Sequence, residues 1–338
     1  QMERGRWQRI EWDQLPVHFP QATAMQAVPC PQGGLQRPMW RARPAPSPGP
    51  GEVLLEVQAW GLNFSDVLKS LGLYPLWGRS PTLGLECAGK VMACGPGVSE
   101  PQPGQALVAL ATGVLGNPGC VPAELCAPWP EHWSAAEAAS RPLVVMTAWA
   151  ALHELARLQP GESLLVHSAS GGVGLAALHL GRQLGARLLA TAGSPERRQY
   201  LKGFGVERVY DSRSLDFVSQ VLQDTGGRGV EVVLNSLSGP ALEAGLECLA
   251  DGGRWIELGK RDFDEQRCLS LGAFRRGIGF LSLDLEAQIL HHSARLGECL
   301  RRPFPDRPAP PLSRWPVGPL PPAHLHKASR APPGPTNR

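Results

Sequence analysis

The stretch 166–175 reads Val-His-Ser-Ala-Ser-Gly-Gly-Val-Gly-Leu. It joins a strand-like apolar run to a segment with helical spacing, and its small residues recur as Ala169-x-Gly171-x-x-Gly174. At that spacing the glycines let the backbone approach a pyrophosphate and let the helix pack close to the sheet. The helix N-terminus adds free N–H groups for phosphate. Ala169 stands where the first glycine is usual. Ser170, Gly171, Gly172, Val173 and Gly174 are therefore expected to cradle a dinucleotide.

The next strand ends at 192–198, Ala-Gly-Ser-Pro-Glu-Arg-Arg. An enzyme that takes NAD usually carries an acid here, against the ribose 2′-OH. Ser194 can instead donate to a 2′-phosphate, and Arg197 or Arg198 can neutralise it. Glu196 is the contrary charge, but it falls in a helix first turn, where acids are favoured anyway. The pattern favours NADPH over NADH. Further on, Lys260 follows Gly259 at the C-terminal end of the strand-like run 253–258. Open α/β sheets place ligands at that edge, so Lys260 is a candidate catalytic residue.

The elements that must position these groups follow from periodicity. Residues 1–30 show no clear period and read as a linker or the edge of a neighbouring domain. Residues 52–59, 84–92 and 105–110 alternate as short strands between Gly/Pro turns, giving a small β-rich domain over 31–140. At Ser134 the period turns helical, with Glu137 completing a capping box. From 141 to 285 strands and helices alternate: strands at 163–167, 187–191, 208–210, 230–234 and 253–258, with helices between. That order implies a doubly wound parallel sheet. Residues 286–338 form a Pro-rich, basic tail that cannot hold a regular element after about 303 and is expected to be irregular.

Composition narrows the function classes. The chain has 338 residues, enough for two domains. The net charge of +3 is too small for a nucleic-acid surface. No apolar run approaches the ~18 residues of a membrane span. The eight cysteines form no C-x-x-C pair and read as free thiols of a reducing compartment. A soluble cytoplasmic protein, or a piece of a larger one, is expected, with its oligomeric state open.

Several ordered stretches carry a resemblance. They are Leu-Asn-Phe-Ser-Asp-Val-Leu at 62–68, Leu-Gly-Leu-Glu-Cys-Ala-Gly at 83–89, Ser-Ala-Ser-Gly-Gly-Val-Gly at 168–174, Asp-Ser-Arg-Ser-Leu-Asp-Phe at 211–217, Thr-Gly-Gly-Arg-Gly-Val at 225–230, Val-Leu-Asn-Ser-Leu at 233–237 and Glu-Leu-Gly-Lys-Arg-Asp at 257–262. From about 33 to 285 the chain resembles the enoyl-reductase domains of modular polyketide synthases and of animal fatty acid synthase. The resemblance implies an α/β fold: a Rossmann doubly wound parallel sheet plus a GroES-like β-rich domain, with the active site in the cleft between. It implies NADPH-dependent reduction of a trans-2-enoyl thioester carried on an acyl carrier protein, beside neighbouring ketoreductase and dehydratase domains.

The same resemblance assigns roles. Lys260 matches a proposed proton donor, and Asp284 a residue thought to assist it. Tyr74 matches a tyrosine linked to the face of enolate protonation, which implies an S-configured 2-methyl product. Asn63 and Thr147 match positions near the nicotinamide, Asn235 one near the ribose, and Arg213 and Gly259 further cofactor positions. Zinc is not expected: Leu85 stands where zinc-dependent relatives have His, and Asn63 near their Cys, with no four-Cys lobe. Glu86 is given a structural or hydrogen-bonding role, and His167 and His179 packing roles.

Two departures stand out. Ser65 replaces an arginine common in the family. The tail echoes the family's return to the first domain at 314–318, but the closing helix and strand look lost. Two alternatives remain beside enoyl reduction: a stand-alone quinone or enone reductase, and a degenerate NADPH-binding module.

Overall fold

The computed structural model describes residues 24–29, 39–78, 81–129 and 131–302. The tail from 303 onward, including 314–318, lies outside the described residues, as do residues 1–23 and Cys30.

The first unit is β-rich. Its strands are β1 (Ala24–Val28), β2 (Met39–Arg43), β3 (Glu52–Gly61), β4 (Glu86–Cys94), β5 (Ala106–Leu110), β6 (Gly116–Asn117), β7 (Gly119–Pro122) and β8 (Cys126–Pro128). They form a five-stranded sheet in the order β7-β3-β4-β5-β8 and a three-stranded sheet β2-β1-β6, all pairs antiparallel. β3 shows why: Val53, Leu55 and Val57 are buried while Glu56 and Gln58 are exposed, the period-2 pattern of a half-buried strand. The inward side chains of β3 pack with Cys87, Val91, Leu107, Ala109 and Val121. β1 falls in a region where the sequence suggested no element. Its run Ala-Met-Gln-Ala-Val is held by pairing to β2 and β6 rather than by a strong pattern of its own.

Helices α1 (Phe64–Ser70), α2 (Ala135–Ala139) and α3 (Pro142–Trp149) lead to the second unit. Ser134 caps α2 through the expected box with Glu137. After Trp149, α3 runs on into a π-helical turn, Ala150–Leu155, where Trp149 stacks on His153 at 4.3 Å.

The second unit is a six-stranded parallel sheet. Its strands are β9 (Ser163–Val166), β10 (Arg187–Ala192), β11 (Arg208–Asp211), β12 (Val230–Asn235), β13 (Leu249–Glu257) and β14 (Gly279–Ser282), in spatial order β11-β10-β9-β12-β13-β14. This doubly wound arrangement reverses between β9 and β12, the switch point where such sheets bind ligands. Helices α4 (Gly172–Gln183), α5 (Pro195–Lys202), α6 (Phe217–Asp224), α7 (Pro240–Gly245) and α8 (Arg261–Asp264) link the strands. Both faces of β9 are buried: Leu164 and Val166 pack with α4, while Leu165 packs with Phe217, Leu242 and Trp255. That explains its unbroken apolar run.

After β14 the chain turns back. Leu283 belongs to the core of the parallel sheet. Leu285 already packs with Leu85, Leu110 and Met146 of the first unit. Helices α9 (Leu285–His291) and α10 (Ser293–Arg301) follow, and Ile289, Leu296 and Leu300 join the same cluster. Residues 286–301, which the sequence grouped with the Pro-rich tail, are thus two helices packed on the first domain.

Candidate active site

The nucleotide end is built around β9 and α4. Ser168 turns the chain with φ +52°, and Ala169 N–H donates to Thr191 O at 3.0 Å. A Cβ on Gly174 would sit 2.5 Å from the Ala169 Cα and 2.6 Å from its carbonyl oxygen, so only glycine lets the helix approach this closely. The first helical bond, Leu175 N–H to the Gly171 carbonyl, is 2.9 Å. The N–H groups of Gly172, Val173 and Gly174 precede it, at the positive end of a twelve-residue helix. Ser170 is buried beside them.

At the end of β10, Ser194 caps α5 and accepts from Arg197 N–H at 3.4 Å. Arg198 is engaged within the protein: Nη1 donates to the Ala192 carbonyl at 3.2 Å and pairs with Asp211 Oδ2 at 3.0 Å. Arg213 is exposed, and its Nε would lie 3.2 Å from a Cβ on Gly193. Ser194 and Arg213 therefore lie at the mouth of one strand pair, with Arg197 in the first turn of α5 after them.

Asn235 ends β12 fully buried. Its Nδ2 donates to Glu257 Oε2 and to the Leu237 carbonyl, both at 2.7 Å, and its Oδ1 accepts from Leu237 N–H at 3.0 Å. Glu257 also accepts from Trp255 Nε1 at 2.9 Å and from Gly259 N–H at 2.6 Å. Burial lifts the Glu257 carboxyl to about 7. Asn235 and Glu257 together shape the two strand ends, and Gly259 is held in place just before Lys260.

On the β-rich side, Asn63 opens α1. Its backbone N–H donates to Asp66 Oδ2 at 2.9 Å and its Nδ2 to Glu86 Oε1 at 2.8 Å. Glu86 Oε2 accepts from Leu143 N–H at 2.7 Å, and burial raises this carboxyl to about 7. The Thr147 hydroxyl donates to the Leu143 carbonyl at 2.7 Å, inside α3. His167 is a packing residue: it is buried against Phe217, meets Thr191 Oγ1 at 3.0 Å, and burial lowers its pKa to about 3.

The two units meet at Tyr74. Lys260 Nζ donates to the Tyr74 hydroxyl at 2.5 Å and pairs with Asp284 Oδ1 at 2.8 Å. Asp284 is also the N-cap of α9, accepting from Ala287 N–H at 3.1 Å. All three residues marked for catalysis in the sequence come together here. Two more were missed. Glu286 Oε2 accepts from the Tyr74 hydroxyl at 2.9 Å, and its Oε1 pairs with Lys69 Nζ at 2.8 Å. Lys69 is buried on α1 beside Asp66. An acid and a base three residues apart on one helix face, Asp66 and Lys69, were the available signal.

Comparisons bear on this geometry. Residues 49–134 match the alcohol dehydrogenase GroES-like domain, and residues 172–278 match the zinc-binding dehydrogenase model. The crystal structure of the CurK enoyl reductase superposes with a TM-score of 0.73 at 35% identity, covering 82% of this chain and 86% of that one. The chain belongs to the polyketide synthase enoyl-reductase family. A mycocerosic acid synthase-like polyketide synthase of Mycolicibacterium smegmatis is 44% identical to this enoyl-reductase chain over 256 residues. That match takes in 75% of this chain but only 12% of the synthase. A mycobacterial protein, Rv1454c, solved in complex with NADPH, is 25% identical with a TM-score of 0.71 over 82% of this chain and 86% of its own.

Zinc, which the second model's description implies, does not fit this member. Asn63 and Glu86 bond to each other, and Leu85 offers no donor. Among the described residues no group of three or more His, Cys, Asp or Glu side chains could hold a metal ion. The seven described cysteines are free, and burial pushes the Cys126 thiol up to about 12. No helix among the described residues is long and apolar enough to cross a membrane.

Proposed function

We propose that this enoyl-reductase domain uses NADPH to reduce a trans-2-enoyl thioester, presented by an acyl carrier protein, to the saturated acyl thioester. The observation that carries the reading is Lys260 beside Tyr74 at the carboxyl edge of the parallel sheet, facing the β-rich unit. The residues present suit a dinucleotide: the close approach at Gly174, the open first turn of α4, and Ser194 with Arg197 and Arg213 in place of an acid. Gly171, Gly172 and Val173 would hold the pyrophosphate, and Ser194, Arg197 and Arg213 a 2′-phosphate. Asn63 and Thr147 would flank the nicotinamide.

When bound, the cofactor supplies a hydride to the β-carbon. Negative charge then develops on the thioester oxygen and the α-carbon. The Lys260 ammonium supports that charge, the kind of fixed electrostatic contribution that dominates many enzyme rates. Tyr74 supplies the α-proton from one side. Asp284 orients Lys260. Acyl carrier protein and the ketoreductase and dehydratase domains of a longer synthase are the partners this reading requires.

The test is oxidation of NADPH with a 2-methyl-2-enoyl thioester, run beside NADH and beside a free quinone. Turnover of the thioester with NADPH is expected. Turnover of the quinone alone would make the protein a quinone reductase, and cofactor binding without any turnover a degenerate module.

A further inference from the structure

We infer that Glu286, braced by Lys69, is a positioning residue that aims the Tyr74 hydroxyl and so sets the configuration of the product. The inference rests on the proposed reduction. The phenol oxygen is held from two sides, accepting from Lys260 Nζ at 2.5 Å and donating to Glu286 Oε2 at 2.9 Å. The senses are fixed by chemistry: an ammonium can only donate, and an ionised carboxylate can only accept. The single phenol proton therefore faces Glu286. The other carboxylate oxygen is occupied by Lys69 Nζ at 2.8 Å, with the two side chains 0% and 8% exposed. Glu286 thus cannot turn away without stranding a buried ammonium. Both lysines also lie over the tyrosine ring, Lys69 at 5.0 Å and Lys260 at 4.8 Å from its centroid.

The proton accounting is closed. The enolate α-carbon takes the hydroxyl proton of Tyr74, so a C–H bond forms as the O–H bond breaks. The phenolate left behind takes a proton from the Lys260 ammonium, and the resulting amine takes one from solvent. Glu286 gains and loses nothing. It holds the hydroxyl on one side until the enolate, a stronger base, draws the proton. A phenol free to rotate competes poorly with water, which protonates either face.

Among the described residues, the charged groups around the phenol include Lys69 and Asp66 from α1, Asp284 and Glu286 from α9, and Lys260 after β13. Replacing Glu286 by Gln removes one negative charge beside the hydroxyl and should let it ionise at lower pH. Tyr74 is one of three tyrosines, so near-ultraviolet tyrosinate titration of the protein, less that of Tyr74→Phe, isolates it.

In Glu286→Gln, kcat on a 2-methyl-2-enoyl thioester should fall about 10- to 100-fold with KM within about twofold, the scale of a misaligned reacting group. The product should become a mixture of 2-epimers, and Tyr74 should titrate lower. Should Glu286→Gln fold poorly, the charge-balanced Lys69→Met/Glu286→Gln pair is read instead: kcat and product configuration should change as in the single variant, the two lost charges offset each other in the titration, and an unchanged configuration would overturn the inference. An unchanged product configuration together with unchanged Tyr74 titration would overturn the inference. If the unmodified protein reduces no thioester, the proposed function fails, and the titration alone decides whether Glu286 governs Tyr74.

Discussion

Lys260 Nζ and the Tyr74 hydroxyl oxygen are 186 residues apart in sequence and 2.5 Å apart in space. One comes from the parallel sheet and the other from the loop after α1. Removing each separates the two jobs of the pair. Lys260→Ala should lower kcat on an enoyl thioester by about 100-fold or more, the usual scale for a lost group that stabilises developing charge. Tyr74→Phe should cost less rate but change the configuration at the 2-methyl centre, as read by chiral chromatography of the product.

Cofactor choice should depend more on Arg213 than on Arg198. Arg198 is engaged by the Ala192 carbonyl and Asp211, whereas Arg213 lies exposed over Gly193. A hydrogen bond to a charged group contributes about 1.5–3 kcal/mol. Arg213→Ala should therefore raise the KM for NADPH by about 10- to 100-fold. It should leave the KM for NADH nearly unchanged. Equal losses for both cofactors would remove Arg213 from the 2′-phosphate.

Gly174→Ala tests the helix approach. The added methyl would lie 2.5 Å from the Ala169 Cα, and neither backbone can yield without moving α4 from the sheet. Overpacking of this sort costs about 1–3 kcal/mol. A lower thermal midpoint and weaker quenching of protein fluorescence by NADPH should appear together.

Two buried carboxyls predict how stability responds to pH. Glu86 and Glu257 are each raised from 4.5 to about 7 by burial. Between those values the folded protein keeps protons that the unfolded chain has released. Their contribution to stability is therefore full below about 4.5 and is lost as pH rises through about 7, while buried His167, lowered from 6.5 to about 3, contributes in the opposite sense below 6.5. Glu86→Gln removes one of the two contributions. Asn63 can rotate its amide to offer an oxygen to the new Gln, so the fold should survive. Across the window the thermal midpoint of the parent should fall relative to that of this variant; an unchanged difference between the two would rule out Glu86 as a contributor.

Much of this was legible in the sequence because it is local. The turn at Gly171–Gly174, the capping box at Ser134 and the strand alternation of β3 are each written within a dozen residues. Lys260, Tyr74 and Asp284 were also marked, through position at a sheet edge and family likeness. What escaped was non-local. β1 has too weak a pattern to stand without β2 and β6 beside it. Helices α9 and α10 were hidden by the prolines that follow them, although Leu285, Ile289, Leu296 and Leu300 carry helical spacing. Lys69 and Glu286 carry no local mark of their burial, because it comes from a partner 217 residues away.

The crossing at 283–286 has one more consequence. Within four residues the chain leaves the core of the parallel sheet at Leu283, supplies Asp284 to Lys260, enters the core of the β-rich unit at Leu285 and supplies Glu286 to Tyr74. The joint between the two bodies and the proposed proton circuit are therefore the same piece of backbone. A hinge opening there would pull Lys260 from Tyr74 and interrupt the circuit. The domain would then be armed only when shut, so that an electron pair is never spent on a substrate whose matching proton is out of reach.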